Sequence, residues 1–502
     1  MNVVVVGGGI AGLAAAARVA AAGVDVTLLE RSDRLGGSVR TIPFAGRALD
    51  VGAEMIVTGQ PAAVDLCAQL GLGDDLVAPV AAPAHVWVRG RLRPLPAGLM
   101  GGLPGGVGSL LRSRILTPAG LLRASVDLVA PSHAPQDDVA IGAIVRDRLG
   151  PQVLDRLVEP MLGGIHAGRC DDLSAQALMP QAITALAGGR GLVRGLRAAA
   201  RSGPGPAFVT LRHGLGTLVS ALAQTLLDGG ADVRVGVAAT AVRPAAGGGV
   251  TVVAADGPPL HADACIVATP APAAAAILQR SSPVAAAELA RLGSAASAAV
   301  VVLAYRAAAL GDLPEGTGFL TAAGEGRLVR ACTWTSAKWS HLAGEPALLK
   351  AFVGRAGEPP PAVDDGQLAE LVHAELAQAL RLRERPVETH VERFVEALPQ
   401  YAVGHLARVG RVDDTLPEGV ELAGAAYRGV GIPACVRSGH AAADRLLERL
   451  GLPAPVPMSL IAFMQRPVTA ARPRSRRRRV AGSRRRAPSP TTGRRTAGRS
   501  CL

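Results

Sequence analysis

Aromatic side chains make up only 2% of the 502 residues, so the stacking platforms that grip successive bases of single-stranded nucleic acid are missing. The six cysteines, Cys67, Cys170, Cys265, Cys332, Cys435 and Cys501, are scattered and contain no C-x-x-C pair. That excludes a zinc ribbon and a disulfide framework, predicts no metal site, and suits a reducing cytoplasm. No uninterrupted apolar run reaches the roughly 18 residues of a membrane-spanning helix; residues 97–111 come nearest and are broken by Gly and Pro. The apolar start lacks the basic segment of a secretory leader. No Ser/His/Asp, Cys/His or paired-carboxylate constellation stands out, so catalytic residues stay unassigned.

Charge is unevenly distributed. The chain carries a formal +13, but residues 466–502 hold 13 arginines and no acid. Without them 40 basic residues face 40 acidic ones, and the body is formally neutral. Residues 456–502, rich in Pro, Ser and Arg and without hydrophobic periodicity, read as a disordered extension. Phosphate attraction through such a tail would be salt-sensitive and unselective, so no specific nucleic acid is expected.

The remaining length is enough for more than one folded unit. Residues 3–6 form a β-branched run, 10–22 an Ala-rich helical stretch, and 24–29 a second apolar run ending at Glu30. This is a βαβ unit. Residues 110–201 mix helical periodicity with Gly and Pro breaks; 215–227 and 366–382 read as helices; 299–305 and 347–354 read as strands.

Gly7, Gly9 and Gly12 form G-x-G-x-x-G between the first strand and its helix, with Gly8, Ile10 and Ala11 between them. Gly7 permits the tight turn, Gly9 lets a pyrophosphate approach the backbone, and Gly12 lets helix and strand pack closely. The helix start then offers unpaired N–H groups to an anion. Glu30, at the end of the second strand, is placed to accept ribose hydroxyls.

These residues alone do not separate FAD from NAD. The run from Glu30 through Arg31, Arg34, Gly36, Gly37 and Ser38 to Thr41 resembles the E-x-x-x-R-x-G-G-x-x-x-T element of the FAD-dependent amine oxidase superfamily. Further segments resemble its porphyrinogen oxidase branch, whose members act on coproporphyrinogen III or protoporphyrinogen IX. They are Glu159 to Gly168 with Asp172 to Ser174 and Pro180, Trp334 to Trp339, Ala397 to His405, and Leu422 to Gly439. The similarity runs from residue 1 to about 451. Other flavin amine oxidases and carotenoid desaturases share only the N-terminal elements.

The resemblance implies an α/β, GR2-type FAD-binding Rossmann-like fold with a sheet-based substrate domain and a helical insertion. Residues 1–78, 205–280 and 413–455 would form the FAD domain, 79–109 and 281–412 the substrate domain, and 110–204 the insertion. It also places Gly52, Ala53, Glu54 and Met55 near the flavin, Ala239 by the adenine, and Gly429, Val430, Gly431 and Ile432 as a helix start at the pyrimidine end. Implied partners are a porphyrinogen and molecular oxygen, with peripheral membrane contact allowed and oligomeric state open. Of the two substrates, coproporphyrinogen III is favoured. Arg89, Arg91 and Lys338 are candidates for its carboxylates.

Overall fold

The structure, a computed structural model, describes residues 1–199, 205–292, 295–311 and 313–455. The extension expected over 456–502 lies outside the described residues.

Four consecutive valines make Asn2–Val6 a strand buried on both faces, as the centre of a parallel sheet requires. Asp25–Glu30 and Ala264–Val267 flank it, and Asp232–Val235 and Val420–Leu422 complete a five-stranded sheet in which every pair is parallel. Alternation of side chains sends Val3 and Val5 into a core with the helices Ile10–Ala21, Gly216–Asp228 and Ile432–Arg449. Val4, Val6 and Leu29 point the other way. There they meet the small sheet of Ala239–Pro244, Val250–Ala254 and Leu260–Ala262, and the helices Ala271–Leu278, Pro283–Leu292 and His405–Asp413.

Small residues set how near the helices come. Ala14, Ala15 and Ala16 are fully buried. A methyl added at Gly439 would meet the Ala11 carbonyl oxygen at 2.2 Å, so the first and last helices cross almost backbone to backbone.

A second, seven-stranded sheet runs in the order Glu388–Pro399, Ala295–Tyr305, Ala347–Val353, Val329–Trp334, Gly318–Thr321, His85–Val88 and Arg91–Pro94. The helix Asp365–Leu380, capped by the Asp364 carboxylate accepting the Gln367 N–H at 2.8 Å, covers one face through Leu368, Val372 and Leu376. On the other face Val300, Val302, Trp339 and Leu348 pack on Phe44 and Leu49 of the hairpin Thr41–Phe44 and Arg47–Asp50. The first sheet thus reaches the second through the hairpin that follows the Gly36–Gly37 turn.

Residues 107–199 are largely helical around a separate apolar core. Asp127, 1% exposed, ties this insertion together: it accepts from Arg148 Nε at 2.7 Å and from the Leu192 and Val193 N–H groups at 3.0 and 2.8 Å. A buried carboxylate with three such donors is compensated.

Candidate active site

Hydrogen bonds tie several of the expected cofactor residues together: the Gly7–Gly12 loop, Glu30 and the Gly36–Ser38 turn. Gly7 has φ +107°, where an L side chain is strained, and a methyl there would meet the Ala268 carbonyl oxygen at 2.7 Å. A methyl at Gly12 would stand 1.9 Å from the Gly7 carbonyl oxygen, while Gly9 has nothing within 4 Å of its missing Cβ. The loop is closed where strand and helix touch and open where a pyrophosphate would lie. Gly9 caps Ile10–Ala21 with no side-chain hydrogen bond, and the first turn has no acid, so its N–H groups are left for an anion.

Glu30 sits beneath the loop. Its Oε2 accepts the Gly8 N–H at 2.7 Å and its Oε1 accepts the Ser32 N–H at 2.8 Å, which fixes the carboxylate and leaves lone pairs for a ribose. Gly36 N–H donates to the Gly8 carbonyl at 2.8 Å, and Gly37 lies against the Gly9 Cα. The Arg34 guanidinium spends itself on the Gly37 carbonyl at 2.9 Å; Arg31 is exposed. Ala53 N–H donates to the Ser38 carbonyl at 3.2 Å, which sets residues 52–55 beside the Gly36–Ser38 turn. Beside Glu30, Val237 N–H donates to its carbonyl at 2.8 Å, and Ala239 opens the adjoining strand.

At the other end charges are buried. Lys338 Nζ donates to Glu54 Oε1 at 2.5 Å, and Lys350 Nζ pairs with Glu54 Oε2 and donates to the Asp50 carbonyl at 2.9 Å. Burial pushes the Glu54 carboxyl up, but Lys350 and Lys338 outweigh it and hold it down to about 2. Asp50 has the opposite fate: burial pushes it up to about 6, although Thr41, the Leu215 N–H and Lys350 pull against it.

Gly429 (φ +136°) and Gly431 (φ +91°) bring the chain to the helix Ile432–Arg449, whose first turn has no acid and no side-chain cap. Tyr401 holds this approach. Its hydroxyl donates to the Ala425 carbonyl and accepts the Gly429 N–H, both at 2.7 Å, and its ring stacks on His405 with centroids 3.7 Å apart. His405 Nε2 in turn lies 2.8 Å from the Tyr427 carbonyl. Gln400 Nε2 donates to the His166 carbonyl at 2.8 Å and Ser174 N–H to the Tyr401 carbonyl at 2.7 Å. The segment Ala397 to His405 is therefore a clasp between the helical insertion and the loop ahead of the last helix.

The three carboxylate candidates do not come together. Arg89 and Arg91 lie on the hairpin at the outer edge of the mixed sheet, where Arg89 N–H donates to Glu325 Oε1 at 2.7 Å. Beside them an open cleft of about 550 Å³, lined by Trp87, Arg327 and Glu375, includes none of the expected cofactor residues. Lys338 is spent on Glu54. Lys350 and Asp50 escaped the sequence reading; the signal for Lys350 was a charge inside the apolar run 347–353.

All five described cysteines are buried and free. Burial raises the Cys435 thiol, at the start of the last helix, to about 12. Such a thiol is a poor nucleophile toward a cofactor.

Among the described residues no group of His, Cys, Asp and Glu could hold a metal ion, and no helix is long and apolar enough to cross a membrane. The family profile of flavin containing amine oxidoreductases matches residues 10–447. The chain is 32% identical to coproporphyrinogen III oxidase of Bacillus subtilis over 89% of this chain and 98% of that one. It is 34% identical to coproporphyrinogen III oxidase of Propionibacterium freudenreichii, over 89% and 91%. A crystal structure from Exiguobacterium sp. 255-15, provisionally named a protoporphyrinogen oxidase, superposes with TM-score 0.81 at 30% identity over 89% of this chain and 99% of that one. The glycine loop, Glu30 and the second glycine pair thus sit in a scaffold matched almost end to end, and the chain, an FAD-dependent oxidoreductase, belongs to the flavin containing amine oxidoreductase family.

Proposed function

We propose that the chain oxidises coproporphyrinogen III to coproporphyrin III in haem biosynthesis, with oxygen as acceptor and hydrogen peroxide as by-product. The observation that carries the reading is similarity over 89% of the chain to coproporphyrinogen III oxidases, 32% and 34% identical. Six electrons and six protons leave the macrocycle, and three oxygen molecules take them up as three hydrogen peroxide. The flavin, when bound, supplies the hydride-accepting chemistry.

The residues of this chain bind and orient. Gly7 to Gly12, with the open face at Gly9 and the uncapped helix start, would take the pyrophosphate, joined by Gly36 to Ser38 with Arg31 at the rim. Glu30 would take the ribose and Ala239 the adenine edge. Gly52 to Met55 would lie along the ring, and Gly429 to Ile432 would set a positive helix end at its pyrimidine side. Residues 1–78, 205–280 and 413–455 would form the FAD domain, 79–109 and 281–412 the substrate domain, and 110–204 the insertion. The helices Pro283–Leu292 and His405–Asp413 share the core of the parallel sheet, which carries that unit slightly past its borders. Exposed Leu111, Leu122, Val126 and Val129 beside Arg112, Arg114 and Arg123 support a peripheral membrane contact of the insertion.

The test is turnover of both porphyrinogens with parallel peroxide assay. Fluorescence from coproporphyrin with matching peroxide supports the reading. Turnover of protoporphyrinogen IX alone moves the substrate to that alternative, and turnover of neither overturns both.

A further inference from the structure

The cluster around Glu54 holds more positive charge than its own stability needs. Lys350 is 1% exposed on the strand Ala347–Val353, and Lys338 is 12% exposed at the end of the short helix Thr335–Lys338. Both ammonium groups meet the single Glu54 carboxylate. Arg47, on the neighbouring hairpin, donates to the Leu342 carbonyl at 2.8 Å and to the Pro346 carbonyl, and meets no carboxylate among its hydrogen-bond partners. Asp50 accepts from the Leu215 N–H at 2.9 Å and from Thr41, not from a lysine. Two ammonium groups therefore share the one Glu54 carboxylate, while Arg47 is bound to backbone carbonyls.

Burying an ion is costly even when paired, and an unmatched one costs more. A cluster kept only for packing would do better as one pair, or as apolar residues of the same volume. A small cavity behind it, lined by Thr210, Thr335, His341, Glu54 and Lys350, keeps the surroundings polar. The Oγ1 atoms of both threonines and Nδ1 of His341 have no protein partner there. Glu54 follows Ala53, whose N–H donates to the Ser38 carbonyl at 3.2 Å, in the segment proposed above to lie along the ring.

We propose that the Lys338–Glu54–Lys350 cluster tunes the bound flavin, its net positive charge favouring the reduced, anionic form and so making the cofactor a stronger hydride acceptor. The cluster acts by its field, as positioned charge, and the inference rests on the FAD placement proposed above. A field has a sign, which a packing role lacks. Replacing either lysine removes positive charge, whereas Glu54→Gln removes negative charge at nearly constant shape.

The experiment is the midpoint potential of the bound flavin, by dye equilibration, in wild type, Lys338→Met, Lys350→Met, Glu54→Gln and Lys350→Arg, with FAD affinity and thermal unfolding alongside. Both lysine-to-methionine variants should lower the potential and Glu54→Gln should raise it. Each should change the reduced-to-oxidised ratio at fixed potential by about tenfold, the scale of one charge felt over roughly 12 Å through an effective dielectric near 20. Lys350→Arg should restore the wild-type value. If Lys350→Met does not fold, Lys338→Met and Glu54→Gln decide between them. Unmoved potentials, or shifts of one sign in all variants, overturn the inference. A wild-type protein that takes up no flavin overturns the proposed FAD site instead.

Discussion

The Gly7–Gly12 loop and the Asp50–Glu54 cluster are built by opposite means. At the Gly7–Gly12 end the work is done by backbone: missing side chains at Gly7 and Gly12, an uncapped helix start, and one carboxylate fixed by N–H groups. At the Asp50–Glu54 end it is done by buried ions, with Lys338 and Lys350 both meeting Glu54. The first presents unpaired backbone N–H groups and one fixed carboxylate; the second presents paired opposite charges inside the protein. Sterically strict, the first should fail completely when altered. The second should respond in graded steps whose sign follows the charge removed.

The strongest contrast comes from Gly12→Ala. The new methyl would lie 1.9 Å from the Gly7 carbonyl oxygen, so strand, turn and helix cannot keep their places. Complete loss of bound FAD is expected, read as flavin absorbance of the purified protein; full retention would show the loop to be more plastic than its packing.

Next in size is the pH dependence of the two carboxylates. Asp50, raised from 3.8 to about 6, holds a proton in the folded state that the unfolded chain has released, so its contribution falls as pH rises from about 4 to about 6. The loss is on the order of 3 kcal/mol. Glu54, lowered from 4.5 to about 2, stabilises the fold above the unfolded value and loses that contribution as pH falls toward 2. Urea unfolding across pH should show Asp50→Asn flattening the first slope and Glu54→Gln the second. If both variants flattened the same limb, the opposite fates of the two groups would be wrong.

Glu30→Ala removes a charged acceptor from the Gly8 and Ser32 N–H groups as well as from the expected ribose. FAD affinity should fall by about 1.5–3 kcal/mol, the worth of a hydrogen bond to a charged group. Titration of the apoprotein measures it, and unchanged affinity would remove Glu30 from the site. Tyr401→Phe is milder. It strands the Gly429 N–H and the Ala425 carbonyl, costing roughly 1–3 kcal/mol of stability in thermal or urea unfolding. It leaves the Gly12 end untouched. A stability equal to wild type would mean that the clasp is ornamental.

What could be read from sequence follows the same division. The βαβ start was legible because β-branched residues, an Ala-rich helix and obligate glycines leave few alternatives, and Glu30 stands where the second strand ends. The strands at 299–305 and 347–354 were recognised by their apolar runs, and the helix at 366–382 by its periodicity. The ion cluster was not legible. Lysines and carboxylates are ordinarily solvated, and the pairing of Glu54 with Lys338 spans 284 positions. Periodicity says nothing about such long-range pairs. Lys338 is for that reason among the candidates for the substrate carboxylates, whereas its ammonium meets Glu54 inside the protein. The segment Ala397 to His405 was recognised as a motif, but its use as a clasp needed the positions of Ala425, Gly429 and His166.

Reduction of the flavin by a porphyrinogen is the central step of the proposed reaction. The direct measurement is anaerobic mixing of the purified, FAD-loaded protein with coproporphyrinogen III, following flavin absorbance and coproporphyrin fluorescence together, with protoporphyrinogen IX as the comparison. Bleaching of the flavin by coproporphyrinogen, faster than by protoporphyrinogen and reversed on admitting oxygen with release of peroxide, is the predicted result. A flavin that stays oxidised with both porphyrinogens would contradict the account.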